Sequence, residues 1–178
     1  MKECREPWEE CPEIWKTKAS FFTWMRGNLR RALWEKYPPK VKFKNNMCKP
    51  PPVEYTGRAK SGSECVLTGE WYAKSYLEVD HIVGNASLTD WNDVLPFIRH
   101  LCTTEDNMQL VSKEAHKIKS YAEKQGISFE EAMIVKKAIA ICKDKKDKEW
   151  LESRGVTPES NATKRRKQIE ELLKGEMK

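Results

Sequence analysis

The three histidines of the chain, His81, His100 and His116, all fall between Tyr76 and Lys119. Within that stretch, YLEVDHIVG contains an adjacent acid and imidazole, Asp80-His81, and DNMQLVSKEAHKIK supplies Asn107, His116 and Lys119. These residue types suit hydrolysis of a phosphodiester. Such a reaction needs a water made nucleophilic, a cation to neutralise charge gathering on the phosphoryl oxygens, and help for the leaving 3′-oxygen. A neutral imidazole serves as a base near pH 7. A carboxylate and a second imidazole can hold one divalent ion and leave positions open for phosphate and water. Neighbouring strand residues project to opposite faces, so Asp80 and His81 are expected to do different jobs. Lys119 lies one turn beyond His116, where a lysine could hold the scissile or a neighbouring phosphate. His100 finds no place in this pattern and reads as structural.

Bringing these residues together requires a strand, a loop, a second strand and a helix. Residues 76–82 alternate, with Leu77, Val79 and His81 on one side and Tyr76, Glu78, Asp80 and Ile82 on the other, and Gly84-Asn85 ends the strand. Leu88 to Leu101 is a long inserted connection with its own helical period through Trp91, Val94, Leu95, Ile98 and Leu101. Asn107 to Val111 reads as the second strand. Ser112 then caps a helix that carries Glu114 in its first turn and ends at Gly126. Upstream, Cys65-Val66-Leu67-Thr68-Gly69 reads as a short strand into a turn. A helix from about Ala19 to Glu35 has Phe22, Met25, Leu29, Ala32 and Leu33 as its apolar stripe, Ser20 as N-cap and Pro38-Pro39 as its stop. Residues 38–63 read as an extended basic connection, with Pro50-Pro51-Pro52 excluding helix. Downstream, Ser128-Phe129-Glu130-Glu131 is a capping box opening a helix that breaks in the charged KDKKDKE. A last helix, from Pro158 or Asn161 to Gly175, carries Arg165-Arg166-Lys167 and an apolar face of Ile169, Leu172 and Leu173.

This order, with LEVDHIVG, DNMQLV and KEAHKIK in sequence and nine residues from Asn107 to His116, resembles the HNH endonuclease family. The helical insertion and basic N-terminal helix look most like its phage-encoded members. The resemblance implies an α+β fold, a ββα-metal core with a helical insertion and flanking N- and C-terminal helices. It divides the chain into an N-terminal arm (1–60), a nuclease core (61–126) and a basic helical C-terminal region (127–178). It implies a metal-dependent endodeoxyribonuclease that nicks or cuts DNA, leaving 5′-phosphate and 3′-hydroxyl ends. His81 would be the general base, Asp80 and His116 would bind one divalent ion, and Asn107 would fix the long loop and orient His81. Mg²⁺ or Mn²⁺ is the expected ion, with Zn²⁺ or Ni²⁺ as alternatives. Many family members also pin the core with a zinc held by two CxxC pairs. Here Cys65 has no partner at that spacing, and Ser112 and Ala115 occupy the second pair's positions, so no structural zinc is expected. Cys4, Cys11, Cys48 and Cys65 fit the spacings of a zinc site poorly, and the cysteines read as reduced, buried thiols.

Charge distribution points to a polyanionic partner. Residues 1–63 carry 14 basic and 7 acidic groups, residues 64–111 carry 2 and 8, and residues 112–178 carry 17 and 12, for a net +6. An acidic centre between basic flanks suits a cation site served by arms that bind DNA. Arg26 and Arg30, one turn apart and interleaved with Trp24 and Trp34, are the leading candidates for phosphate contact. No apolar run approaches the roughly 20 residues that span a bilayer, and the opening MKECREPWEECPE lacks the apolar core of a secretory signal. The expectation is therefore a cytoplasmic protein, in the host cytoplasm if phage-encoded, without a membrane partner and acting as monomer or dimer, alone or with other phage proteins. Two other classes remain open at this point: a DNA-binding module whose nuclease site has lapsed, and a ribonuclease.

Overall fold

The computed structural model describes residues 5–84, 86–143 and 145–176; Cys4, Asn85 at the end of the expected first strand, and Asp144 in the charged KDKKDKE run lie outside them. The described residues form a mixed α+β structure with two small antiparallel sheets. The chain divides into two compact units, residues 1–113 and 114–178.

In the first unit a short helix α1 (Pro7–Glu10) precedes α2 (Lys18–Leu29), which runs directly into a π-helical turn at Arg30–Trp34. α2 is capped by Thr17, not Ser20. The Thr17 hydroxyl accepts the Ser20 N–H at 3.1 Å, and Ser20 Oγ engages the Thr17 backbone as the third residue of a capping box. The π turn takes more residues per revolution than an α-helix and shifts the phase of the apolar stripe. Met25, Leu29, Leu33 and Trp34 pack inward, and Ala32 turns out to solvent.

The expectation of an extended chain after Pro38 is corrected: α3 spans Pro38–Met47. Proline stops the preceding helix but is well suited to a first helical position, where its missing N–H would go unused and its φ is preset. Phe43 anchors α3 in the core. Chain from Cys48 to Gly62 is non-helical, through the proline triplet, and Gly62 pairs with Lys49 by two backbone hydrogen bonds.

The expected strand at 65–69 is displaced. Strand β1 is Gly62–Glu64, paired with β2, Trp71–Ala73, and Cys65–Gly69 is the turn between them. Gly69 adopts φ +70°, a left-handed conformation that favours glycine. Strands β3 (Leu77–His81) and β4 (Met108–Ser112) pair antiparallel, with Asp80 opposite Gln109 and His81 opposite Met108. On β3 the alternation places Leu77, Val79 and His81 inward. β4 is buried at all five positions, which is why its sequence shows no alternation.

The connection between β3 and β4 holds a 3₁₀ turn at Trp91–Asp93 and helix α4, Val94–Leu101. Two apolar clusters fill the unit. One joins Phe21 and Phe22 of α2 to Leu88, Phe97 and Leu101; the other joins Phe43 to Leu77, Val79, Met108 and Leu110. Trp34 packs against both. Hydrogen bonds from Trp91 Nε1 to Glu6 (2.7 Å) and from Tyr37 Oη to the Cys102 carbonyl (3.1 Å), with a Lys18–Asp90 ion pair, tie the insertion to the N-terminal helices.

Helix α5 (Lys113–Gln125) begins at the end of β4 and ends before Gly126, φ +66°. The second unit continues with α6 (Phe129–Lys143), α7 (Asp147–Glu152) and α8 (Ala162–Glu176). The expected capping box opens α6: the Glu131 N–H donates to Ser128 Oγ and the Ser128 N–H to Glu131 Oε2, both at 3.1 Å. α7 starts within the charged run, which therefore ends one helix and opens another. Ile134, Ala138, Leu151, Ile169 and Leu173 form the core of α6, α7 and α8. Arg165 Nε donates to Asp147 Oδ2 at 2.6 Å, and its Nη1 to the carbonyls of Glu159 and Ser160. No helix among the described residues is long and apolar enough to cross a membrane.

Candidate active site at the end of the hairpin

His81 is the last residue of β3 and only 8% exposed. Its ring lies between two others, with Trp34 at 4.0 Å and 31° and His100 stacked at 4.7 Å and 19° between centroids. The π turn presents Trp34 to it, and α4 presents His100. His81 Nε2 lies 3.1 Å from the His100 carbonyl oxygen. A carbonyl only accepts, so Nε2 must carry the proton, which assigns the basic lone pair to Nδ1. Burial, with the neighbouring His100 imidazole, pushes the His81 pKa down to about 4, against smaller opposing pulls from the Asp80 carboxylate and from backbone hydrogen bonds to His100 and Leu101. The imidazole is therefore neutral at pH 7 and able to accept a proton, as a weaker base than an ordinary histidine.

Asp80 projects to the other side of β3 and is half-buried. Its Oδ2 accepts from Gln109 Nε2 at 3.2 Å, and the same amide lies 3.4 Å from the His81 carbonyl. Gln109, directly across the ladder, thus fixes the carboxylate and the backbone of the acid–imidazole pair together. Asn107 precedes β4. Its Oδ1 accepts the Val83 N–H at 2.8 Å, its Nδ2 lies 3.4 Å from the Val83 carbonyl, and its own carbonyl accepts the Ile82 N–H at 3.1 Å. Three contacts from one residue hold the chain leaving His81 against the chain entering β4.

Behind the hairpin, Cys65 is fully buried and its Sγ accepts the Ser112 N–H at 3.2 Å. Burial pushes this thiol up, but hydrogen bonds from the Thr68 side chain and from the Ser112, Leu67 and Thr68 backbone outweigh it and leave the pKa below the ordinary value. A polar knot of Cys65, Thr68 and Ser112 therefore joins the β1–β2 turn to the end of β4.

The arginines expected to contact DNA stay one turn apart and exposed, where α2 runs into the π turn. Arg30 enters the π turn, and its positive charge, after burial, is what lowers the His100 pKa. Arg26 sits one turn earlier, at a cavity of about 360 Å³ lined also by Lys18, Phe22, Thr23, Leu88 and Thr89. His116 and Lys119 lie on α5 in the second unit, both half-buried, with Lys119 Nζ 3.5 Å from Glu123 Oε1. Among the described residues no three or more His, Cys, Asp or Glu side chains are grouped to hold a metal; the ligand pair implied by the resemblance is smaller than such a group. The Asp80 carboxylate is a hard oxygen donor held in place by Gln109, which fits Mg²⁺ or Mn²⁺.

Three residues of this arrangement escape a reading of the sequence. Gln109 is signalled only by the register that places it opposite Asp80. Trp34 and His100 have no sequence signal, because each reaches His81 through tertiary packing: one through a π turn, the other through a helix in the insertion. Comparison of the chain with family models, curated proteins and solved structures gives no match.

Proposed function

We propose, on the resemblance, that the chain is a metal-dependent DNA endonuclease of the HNH type with a ββα-metal core. The observation that carries this reading is the state of His81. It is a buried, neutral imidazole with its proton assigned to Nε2, one residue from a carboxylate that a cross-strand amide holds in place. His81 Nδ1 takes a proton from the attacking water, and the His100 carbonyl keeps the ring in the tautomer that can do so. Contact with the tilted Trp34 ring and stacking by His100 keep the ring from rotating away. Asn107 holds the turn after His81 closed, as a positioning residue. A divalent ion, held by Asp80 and, on the resemblance alone, by His116, would supply charge neutralisation at the phosphoryl oxygens. Lys119, Arg26 and Arg30 are the residues assigned to phosphate contact.

Cleavage of supercoiled plasmid tests the proposal. Nicked or linear product is expected in Mg²⁺ or Mn²⁺, with none in EDTA and a rate lower by about a hundredfold or more for His81→Ala. His116→Ala is expected to weaken metal binding in calorimetry. DNA binding without cleavage in any divalent ion would leave a lapsed binding module. Cleavage of RNA alone would make the protein a ribonuclease, and undiminished cleavage by His81→Ala would remove the base.

A further inference from the structure

Four lysines gather beside the hairpin in the first unit. Lys40 and Lys44 stand one turn apart on α3, both half-buried, flanking the Phe43 anchor. Lys44 Nζ donates to the Leu77 carbonyl at 2.6 Å, and Lys74 Nζ donates to Asn45 Oδ1 at 2.7 Å. Lys40 Nζ lies 4.5 Å over the ring of Trp34. Lys74 and Lys113, which ends the first unit, both lie close enough to Lys44 for their charges to oppose its own. Two carboxylates face the group: Glu78 toward both α3 lysines, and Glu35 toward Lys40. The Cys48 thiol also faces Lys44. Around the two α3 lysines, among the described residues, four ammonium groups meet two carboxylates and remain in excess. Burial is the main reason both α3 lysines titrate below the ordinary ammonium value.

An ammonium carries three donors. The hydrogen bonds of Lys44 and Lys74 each use one, aiming the groups without exhausting them. Holding like charges together in a partly dry setting is costly, and a bound anion would relieve that cost. The extent of the group argues against a small anion, because it runs from a helix to the end of a strand. The positive field also continues along the chain, where residues 36–53 carry five lysines and no acid. Position supplies the last argument. Lys40 stands over Trp34, and the Trp34 ring is the one packed on His81 at 4.0 Å. We infer that the Lys40, Lys44, Lys74 and Lys113 cluster is a seat for the phosphate backbone of DNA, leading past Trp34 to His81. The choice of DNA and the link to His81 rest on the proposed function; the seat itself is a binding property and is tested in the absence of metal.

The test acetylates lysines of the intact protein in EDTA, with and without a fluorescent DNA duplex, and reads each lysine by mass spectrometry. Binding is measured by anisotropy across a salt series. The expected result is a severalfold loss of reactivity at Lys40, Lys44, Lys74 and Lys113 when duplex is present. For Lys40→Gln/Lys113→Gln, neither of which makes a hydrogen bond noted above, the slope of log K against log salt should fall by about two. The matching Arg variant should restore it. Unprotected lysines, an unchanged slope, or protection by RNA or anionic vesicles but not by duplex would each overturn the assignment. If the double Gln variant fails to fold, the footprint on the unaltered protein decides. Absence of cleavage would sink the nuclease reading without touching this result.

Discussion

Burial of a neutral His81 ties the stability of the first unit to pH in a calculable way. Its pKa is about 4 in the folded chain against an ordinary 6.5. The sign follows from proton counting: the unfolded chain binds a proton through this window and the folded one does not, so acid favours unfolding. The contribution is fully present above pH 6.5 and is lost as pH falls toward 4. Integrating the two titrations gives a loss of about 2 kcal/mol by pH 5 and about 3 kcal/mol by pH 4. The comparison is with His81→Gln, which does not titrate. That variant also forfeits two ring contacts, about 0.5–1.5 kcal/mol each, as an offset that does not vary with pH. His100 remains in both proteins, so its own titration largely cancels. Urea unfolding followed by tryptophan fluorescence is the suitable assay, because six of the seven tryptophans lie in the first unit. Wild type should lose stability between pH 7 and pH 4.5 faster than the variant, by about 2–3 kcal/mol. Parallel curves would mean that His81 titrates normally, and the argument from its buried neutral state would fail.

Trp34→Leu removes one wall of the His81 stack, so the His81 titration midpoint should rise from about 4 toward 6.5 in an NMR titration; an unmoved midpoint would assign the burial to other groups. Gly62→Ala places a Cβ 2.1 Å from the Tyr72 carbonyl oxygen, inside the β1–β2 ladder. The ladder must open to admit it, and a loss of about 2 kcal/mol or more is expected in denaturant unfolding; wild-type stability would show that the ladder is not closed there. Arg165→Ala leaves Asp147 without its partner at a site where both side chains are 12% exposed. Removing one member of so enclosed a pair should cost about 3 kcal/mol, read as a lower thermal midpoint by circular dichroism, and an unchanged midpoint would class the pair with solvent-screened ones.

Much of the local structure was legible because local signals decide it. Alternation fixed β3, the Ser128–Glu131 reciprocal cap fixed the start of α6, and the 3.6-residue period disclosed α4 inside the insertion. Errors arose where one residue type has two meanings. Pro38-Pro39 ends one helix and begins the next, and Ser20 serves a cap whose leading residue is Thr17. Cys65–Gly69 looks like a strand running into a turn, yet all of it is turn, because its sulfur collects N–H groups that a ladder would have used.

Residue types and spacing along the chain already place Asp80 beside His81 on opposite faces of a strand and Asn107 just ahead of the next, which begins at Met108 and not at Asn107 as expected. Those follow from backbone geometry with a period of two residues, which any reader of the chain can apply. That His81 is buried, neutral and fixed by its Nε2 contact to the His100 carbonyl follows from packing, because burial and tautomer depend on groups that arrive from elsewhere. Trp34 comes from forty-seven residues upstream and His100 from nineteen downstream, and no local pattern can encode contacts made across such distances along the chain.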